Sequence, residues 1–191
     1  MAGNLAICLR KGWHYGDLLL MWLFISVMLS PAVWAAQAGD NNLAFNGVLV
    51  TDPCSLDPDS AHITLDFGNV VDKYLYRNTR TRGQLFEIRL RGCDLRLGNT
   101  VSVMFSGPED PALPGMLALS AGSARGIAIG MALPDGTSLP INKATPVLPL
   151  VQGVTTLAFK SYIQGEPTAL STHTITRGPF TAVATFTLNY E

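Results

Sequence analysis

Residues 178–191 read Gly178-Pro179-Phe180-Thr181-Ala182-Val183-Ala184-Thr185-Phe186-Thr187-Leu188-Asn189-Tyr190-Glu191. Phe180, Ala182, Ala184, Phe186, Leu188 and Tyr190 fall on one face of an extended chain, and Thr181, Val183, Thr185, Thr187 and Asn189 fall on the other. Alternation at period two marks a strand with one face on a core. This strand is predicted to run to the last residue. Working outward from it, the same pattern recurs. Phe86, Ile88 and Leu90 alternate with Glu87, Arg89 and Arg91 and end at Gly92-Cys93. Val101, Val103 and Phe105 alternate up to Gly107-Pro108, and Ile63, Leu65 and Phe67 alternate up to Gly68-Asn69. Leu117 with Leu119, Ile127 with Ile129 and Met131, and Leu157 with Phe159 give shorter pieces. Pro134-Asp135-Gly136 has turn chemistry, with proline presetting φ and glycine allowing positive φ. No stretch after residue 36 keeps a 3.6-residue period over ten positions. Short strands separated by Gly, Pro and Asp turns predict an all-β sandwich. The Pro-rich stretches 107–116 and 140–153 are expected to be loops or edge strands, because proline cannot donate a ladder hydrogen bond.

The chain has 191 residues, 48% hydrophobic and 14% charged, with a formal net charge of -1. That length suits one domain plus a processed segment, and the charge offers no general attraction to nucleic acid. The excess of apolar residues begins at the N-terminus. Arg10 and Lys11 precede an apolar run from Leu18 to Leu29, Ser30-Pro31 breaks it, and Val33-Trp34-Ala35 supplies small residues for a signal peptidase. The run is too short to span about 30 Å of hydrocarbon comfortably. Residues 1–35 are therefore predicted to be a secretory signal. Its removal takes Arg10, Lys11, Asp17 and Cys8, and leaves 11 basic against 13 acidic side chains. Cys54 and Cys93 then remain in an oxidising compartment and are expected to form one disulfide.

Candidate chemistry is sparse. His62 and His173 are isolated, and no cysteine, histidine or carboxylate cluster has metal-ligand spacing. No nucleophile elbow, His-Glu-x-x-His or phosphate-binding loop occurs. Glu109-Asp110 sits in the Pro-rich loop and is expected to solvate a turn rather than act as an acid/base pair. Arg77, Arg80, Arg82, Arg89, Arg91 and Arg96 crowd one region and read as a solvated face or a patch for a protein partner. No catalysis, cofactor or metal is expected.

Taken together, several pieces carry a resemblance. They are Phe45-Asn46-Gly47-Val48, Pro53-Cys54, Phe67-Gly68-Asn69-Val70, Phe86 to Asp94, Gly126-Ile127-Ala128-Ile129 and residues 178–191. Gly178 stands fourteenth from the end and Tyr190 is penultimate. The chain resembles a fimbrial subunit, or pilin, of the chaperone–usher pathway. The resemblance implies an incomplete immunoglobulin-like sandwich of six strands, with the seventh supplied in trans. Gly178, Phe180, Ala182, Ala184, Phe186, Leu188 and Tyr190 would line the acceptor groove and bind the chaperone. Residues 36–46 would be an N-terminal donor strand presenting Gly39, Asn41, Leu43 and Phe45, and 47–191 the pilin domain. The implied partners are a periplasmic chaperone, an outer-membrane usher and neighbouring fimbrial subunits, and the implied location is a fimbrium on the bacterial surface, reached through the periplasm. The short N-terminal segment and Ala112-Leu113-Pro114-Gly115 are similar to adaptor-type minor pilins of P pili. Major and terminating subunits are the other roles within the family. A self-contained periplasmic sandwich that binds a sugar or small ligand is the reading from another class. Trp13, Trp22 and Trp34 all lie in the signal, which leaves no indole for an aromatic sugar platform.

Overall fold

The computed structural model describes residues 51–191. The donor residues Gly39, Asn41, Leu43 and Phe45 and the signal lie outside them. The described chain opens with a two-residue strand β1 (Ser55–Leu56) and a 3-10 turn (Pro58–Ser60), followed by helix α1 (Asp72–Asn78). Two long strands follow, β2 (Gln84–Cys93) and β3 (Thr100–Ser106). Then come β4 (Ala121–Gly122), β5 (Ile127–Ala132), β6 (Ser138–Leu139) and β7 (Leu148–Pro149). Strand β8 (Gly153–Gly165) leads into helix α2 (Pro167–Thr172), and β9 (Phe180–Thr181) and β10 (Thr185–Tyr190) close the chain.

The strands form a five-stranded sheet ordered β1-β2-β8-β5-β6, a three-stranded sheet ordered β10-β3-β7, and a β4-β9 pair. Every pairing is antiparallel. The predicted periodicity explains why the two larger sheets stack. Ile88 and Leu90 of β2, Val101, Val103 and Phe105 of β3, and Leu157 and Phe159 of β8 share one buried cluster. Phe105 and Phe159 meet edge to face with centroids 5.1 Å apart, a favoured aromatic geometry. The alternate residues Glu87, Arg89 and Arg91 face water, as their pattern predicts.

Two parts of the pattern behave differently. All six positions of β5 are buried, so this strand is covered on both faces. Its second face can be covered because it carries Ala128, Gly130 and Ala132, and the Tyr162 ring lies where a Cβ on Gly130 would go. The Arg80 guanidinium lies over that ring, 4.8 Å from its centroid. The Ile63-Leu65-Phe67 stretch, predicted as a strand, joins no ladder among the described residues. Leu65 and Phe67 are half-buried and Ile63 is exposed, so the alternation survives only in part where no backbone partner holds the chain.

The arginine cluster resolves into separate local roles. Arg91 Nε donates to the buried Asp57 carboxylate at 2.6 Å, Arg96 pairs with Asp94 at 2.7 Å, and Arg80 sits on Tyr162. The Glu109-Asp110 pair does not simply solvate a turn: Asp110 is buried and the pair organises its loop. Asp110 Oδ1 accepts from the amides of Ala112 and Leu113, each at 2.9 Å, and Glu109 accepts from the Gly115 amide.

Cys54 and Cys93 are bonded to one another, 39 positions apart in the sequence. The bond ties the segment before β1 to the end of β2. The chain-entropy model gives a closed loop of this size about 4 kcal/mol. Replacing both residues (Cys54→Ser with Cys93→Ser) is expected to lower unfolding stability by about that amount in urea melts, with a steeper slope on denaturant because the unfolded chain is no longer cross-linked.

Candidate functional site: a groove between two apolar walls

Two extended segments border the site. The first wall is residues 54–71 and the second is residues 178–190. The disulfide, the Asp57–Arg91 pair, and the Ser60 hydroxyl accepting from the Arg89 amide at 2.9 Å fix the start of the first wall to β2. Asp57 is 1% exposed, and its guanidinium partner is what makes that burial tolerable. Beyond Ser60 the wall continues through Ile63 to the half-buried Leu65 and Phe67.

The second wall is the terminal strand. It is not the single unbroken strand that its sequence predicts. Phe180–Thr181 pairs with β4, Thr185–Tyr190 pairs with β3, and the residues between belong to neither ladder. The chain changes partner there, and regular pairing lapses while it crosses. The side-chain alternation survives the break. From Phe180 to Tyr190 every even residue is half-buried and every odd one exposed, Val183 at 67%.

The half-burial is informative. Phe159, facing the same core from an interior strand, is 0% exposed, yet Phe180, Phe186, Leu188 and Tyr190 do not reach full burial. They pack against the core clusters from the side. Phe186, Leu188 and Tyr190 join the cluster of Val101, Val103 and Phe105, while Phe180, Ala182 and Ala184 join that of Leu117 and Ile129. On the backbone, β10 is bonded to β3 along one edge, and among the described residues nothing pairs with its other edge. No backbone hydrogen bond joins the two walls among the described residues.

The walls meet at their ends, through side chains. At one end the Tyr190 hydroxyl donates to the Cys54 carbonyl at 3.3 Å. At the other, the Phe67 and Phe180 rings lie 6.4 Å apart. Just beyond, Arg177 donates to Asp72 Oδ2 at 2.7 and 2.9 Å, and the Tyr76 hydroxyl accepts from the Ile175 amide. Cys54 therefore lies by Tyr190 and Phe67 by Phe180, so the walls run antiparallel. Both walls present apolar side chains, and among the described residues the outer backbone edge of β10 is unpaired.

Gly178 opens the second wall at φ 155°, and a Cβ there would collide with the Ser123 hydroxyl. The seven residues assigned to the acceptor groove thus lie along one segment, with glycine where the chain passes closest to a neighbour. The first wall was legible only as an alternation; its place opposite the last strand was not. Among the described residues no group of three His, Cys, Asp or Glu could hold a metal. Burial raises the Tyr190 phenol above its ordinary value, and the Asp52 charge nearby adds to the rise.

The described chain is an all-β immunoglobulin-like sandwich with one cross-linking disulfide and, among the described residues, a terminal strand unpaired on one edge. The fold matches that of the P pilus rod subunit PapA, with a TM-score of 0.64 over 73% of this chain and 100% of that one, at 24% identity. A family model described as Fimbrial protein matches residues 43–191. Fimbria A protein of Serratia marcescens is 35% identical over 82% of this chain and 88% of its own length. The fimbrial adapter PapK of Escherichia coli is 31% identical over 87% of this chain and 97% of its own. The chain belongs to the fimbrial protein family and is a subunit of chaperone–usher pili. Such subunits assemble with their neighbours into an extracellular pilus on the cell surface.

Two outcomes test the geometry. Gly178→Ala is expected to cost about 1–3 kcal/mol through overpacking, and adding Ser123→Gly should return part of it in a double-mutant cycle. The Tyr190 phenol ionises near pH 10 in the unfolded chain and higher in the folded one. Its contribution is intact below about pH 10 and declines as the pH rises through the folded value. Urea midpoints between about pH 9 and 11.5 should fall more steeply for the wild type than for Tyr190→Phe. That variant should lose about 1 kcal/mol at neutral pH with its hydrogen bond.

Proposed function

We propose that this chain is an adaptor-type minor subunit whose groove receives two strands in turn. A periplasmic chaperone supplies the first, and the N-terminal extension of a neighbouring subunit replaces it at the outer-membrane usher. Residues 1–35 direct export and are removed, 36–46 are the strand this subunit gives away, and 47–191 form the pilin domain. Gly178, Phe180, Ala182, Ala184, Phe186, Leu188 and Tyr190 line the acceptor groove. In the donor segment, Leu43 and Phe45 are the apolar anchors, with Asn41 and Gly39 on the same face.

The observation that carries the reading is the half-buried terminal strand, paired on one edge among the described residues, beside a second wall that joins no ladder beyond β1. Addition of an extended segment to an exposed sheet edge is a general mode of recognition, and complementation of a pilin by its chaperone is one known instance of it. A bound strand would bond the β10 backbone and cover Phe186 and Leu188, while the small Ala182 and Ala184 leave room for its side chains. An unpaired apolar edge also promotes aggregation, which gives the chaperone its task. The likeness to a fimbrial adapter over nearly all of that protein supports the minor role. The likeness of fold to a rod subunit keeps the shaft role as the second reading.

The test is co-expression with the cognate chaperone. Wild type is expected to co-purify with it and to aggregate without it. Deleting residues 187–191, which removes Leu188 and Tyr190, should abolish co-purification. Unchanged capture of the truncated chain, or a stable monomer indifferent to the chaperone, would overturn the groove assignment. Quantitative mass spectrometry of sheared fimbriae separates the roles: an adaptor is rare per filament and a shaft subunit abundant.

A further inference from the structure

The rims of the groove carry charge of one sign. From Thr51 to Asp72 the first wall and its flanks hold Asp52, Asp57, Asp59, Asp66 and Asp72 with no lysine or arginine, and the second wall from Gly178 onward holds only Glu191. Two of these carboxylates are already matched, Asp57 by Arg91 and Asp72 by Arg177. Asp52, Asp59, Asp66 and Glu191 are exposed and enter no salt bridge among the described residues. They are spread along the walls. Asp52 lies close enough to Tyr190 to act on its phenol, Asp59 follows β1, and Asp66 sits between the half-buried Leu65 and Phe67. Of the arginines near the walls, Arg125 donates to the carbonyls of Gly122 and Ala124, and Arg89, whose amide bonds Ser60, lies half-exposed 4.0 Å from Glu87. Lys73 lies past the Asp72–Arg177 end.

The chain's own candidate donor does not suit such a site. Residues 36–46 contain Asp40 and no basic residue, and Leu43 and Phe45 are the large apolar side chains on the facing register. Asp40 falls on the opposite parity, the side that a groove-bound strand turns toward water and the rims. Like charges at this range oppose docking, and opposite charges favour it in both encounter and register.

Resting on the groove reading above, we infer that the groove's preferred occupant is a strand from a different polypeptide, apolar at alternate positions and basic at the positions between, and that a second copy of this chain is disfavoured. The acidic rims select against self-polymerisation and leave the apolar floor to hold whichever strand arrives. Specificity of this kind needs a repulsive element as well as an attractive one.

The experiment uses the oxidised mature chain, purified as its chaperone complex, and four synthetic peptides that compete for its groove. Three share one set of alternating apolar residues and carry Lys, Ser or Glu at the intervening positions; the fourth is residues 36–46. Binding is followed by thermal shift and by fluorescence anisotropy at about 20 mM and 500 mM NaCl. The Lys peptide is expected to bind roughly ten-fold or more tightly than the Glu peptide at low salt, with the ratio falling toward one at high salt as the charges are screened. The 36–46 peptide should bind more weakly than the Lys peptide. A D52N/D59N/D66N variant should bind the Lys and Glu peptides alike. The D66N change keeps a side-chain oxygen to accept from the Gly68 amide. Equal binding of the Lys and Glu peptides to wild type, or tightest binding by residues 36–46, overturns the charge inference and leaves the groove reading intact. Failure of all four peptides to bind overturns both.

Discussion

An interior strand has hydrogen-bonding partners along both edges, and the strand Thr185–Tyr190 has one along a single edge, on β3, among the described residues. Most features of the molecule follow from that constraint. A strand paired on both edges, such as β8 between β2 and β5, can bury its inward side chains completely, as Phe159 and Ile163 do. On β10, paired on one edge, no strand among the described residues flanks those side chains on the other. The half-buried Phe186 and Leu188 are therefore the side-chain expression of a backbone deficit. A donor strand arriving as proposed would remove both deficits at once, with affinity from hydrogen bonds and apolar contact together.

An unfinished sandwich also needs a reason not to collapse. Its two apolar walls would gain contact by closing on each other, and the ends of the groove oppose this. At the Tyr190 end, the disulfide and the Asp57–Arg91 pair hold the first wall against β2, so the Tyr190 hydroxyl reaches Cys54 while the chain beyond stays apart. At the Phe180 end, Phe67 meets Phe180, and the Asp72–Arg177 pair tethers α1 to the approach to Gly178. Covalent, ionic and aromatic contacts are thus gathered where the walls should stay fixed. The stretch between them keeps its backbone groups for a partner.

Much of this was legible in the sequence. Phe86 to Cys93, Val101 to Phe105 and the even residues from Phe180 to Tyr190 are all where their alternation puts them, because alternation records which side chains face a core. It does not record backbone pairing. Ile63, Leu65 and Phe67 alternate as cleanly as a ladder strand and have no ladder. The break at residues 182–184 was hidden for the same reason: side-chain parity is kept while the chain changes partner from β4 to β3. Helix α1 was hidden by its length. Seven residues with only Leu75 buried give too little periodicity to register. The full burial of β5 rests on one long-range contact, Tyr162 over Gly130, which no local pattern contains. The disulfide was legible only through the signal, since removing Cys8 leaves a single possible pair.

On the proposed function, a division of labour between floor and rims would let a common fold serve many filament positions. The floor is built from apolar side chains and backbone, which recognise any extended chain with small and large residues in suitable alternation. That part is sequence-tolerant and tied to the fold, because Val101, Val103 and Phe105 beneath it also form the core. Changing the floor to change partners would therefore cost stability. The rims have no such duty. Asp52, Asp59 and Asp66 are exposed, and a charge there can change sign with little effect on packing. Selectivity between neighbours is most readily altered at the rims, where the fold constrains the side chains least, and strength of attachment stays with the floor.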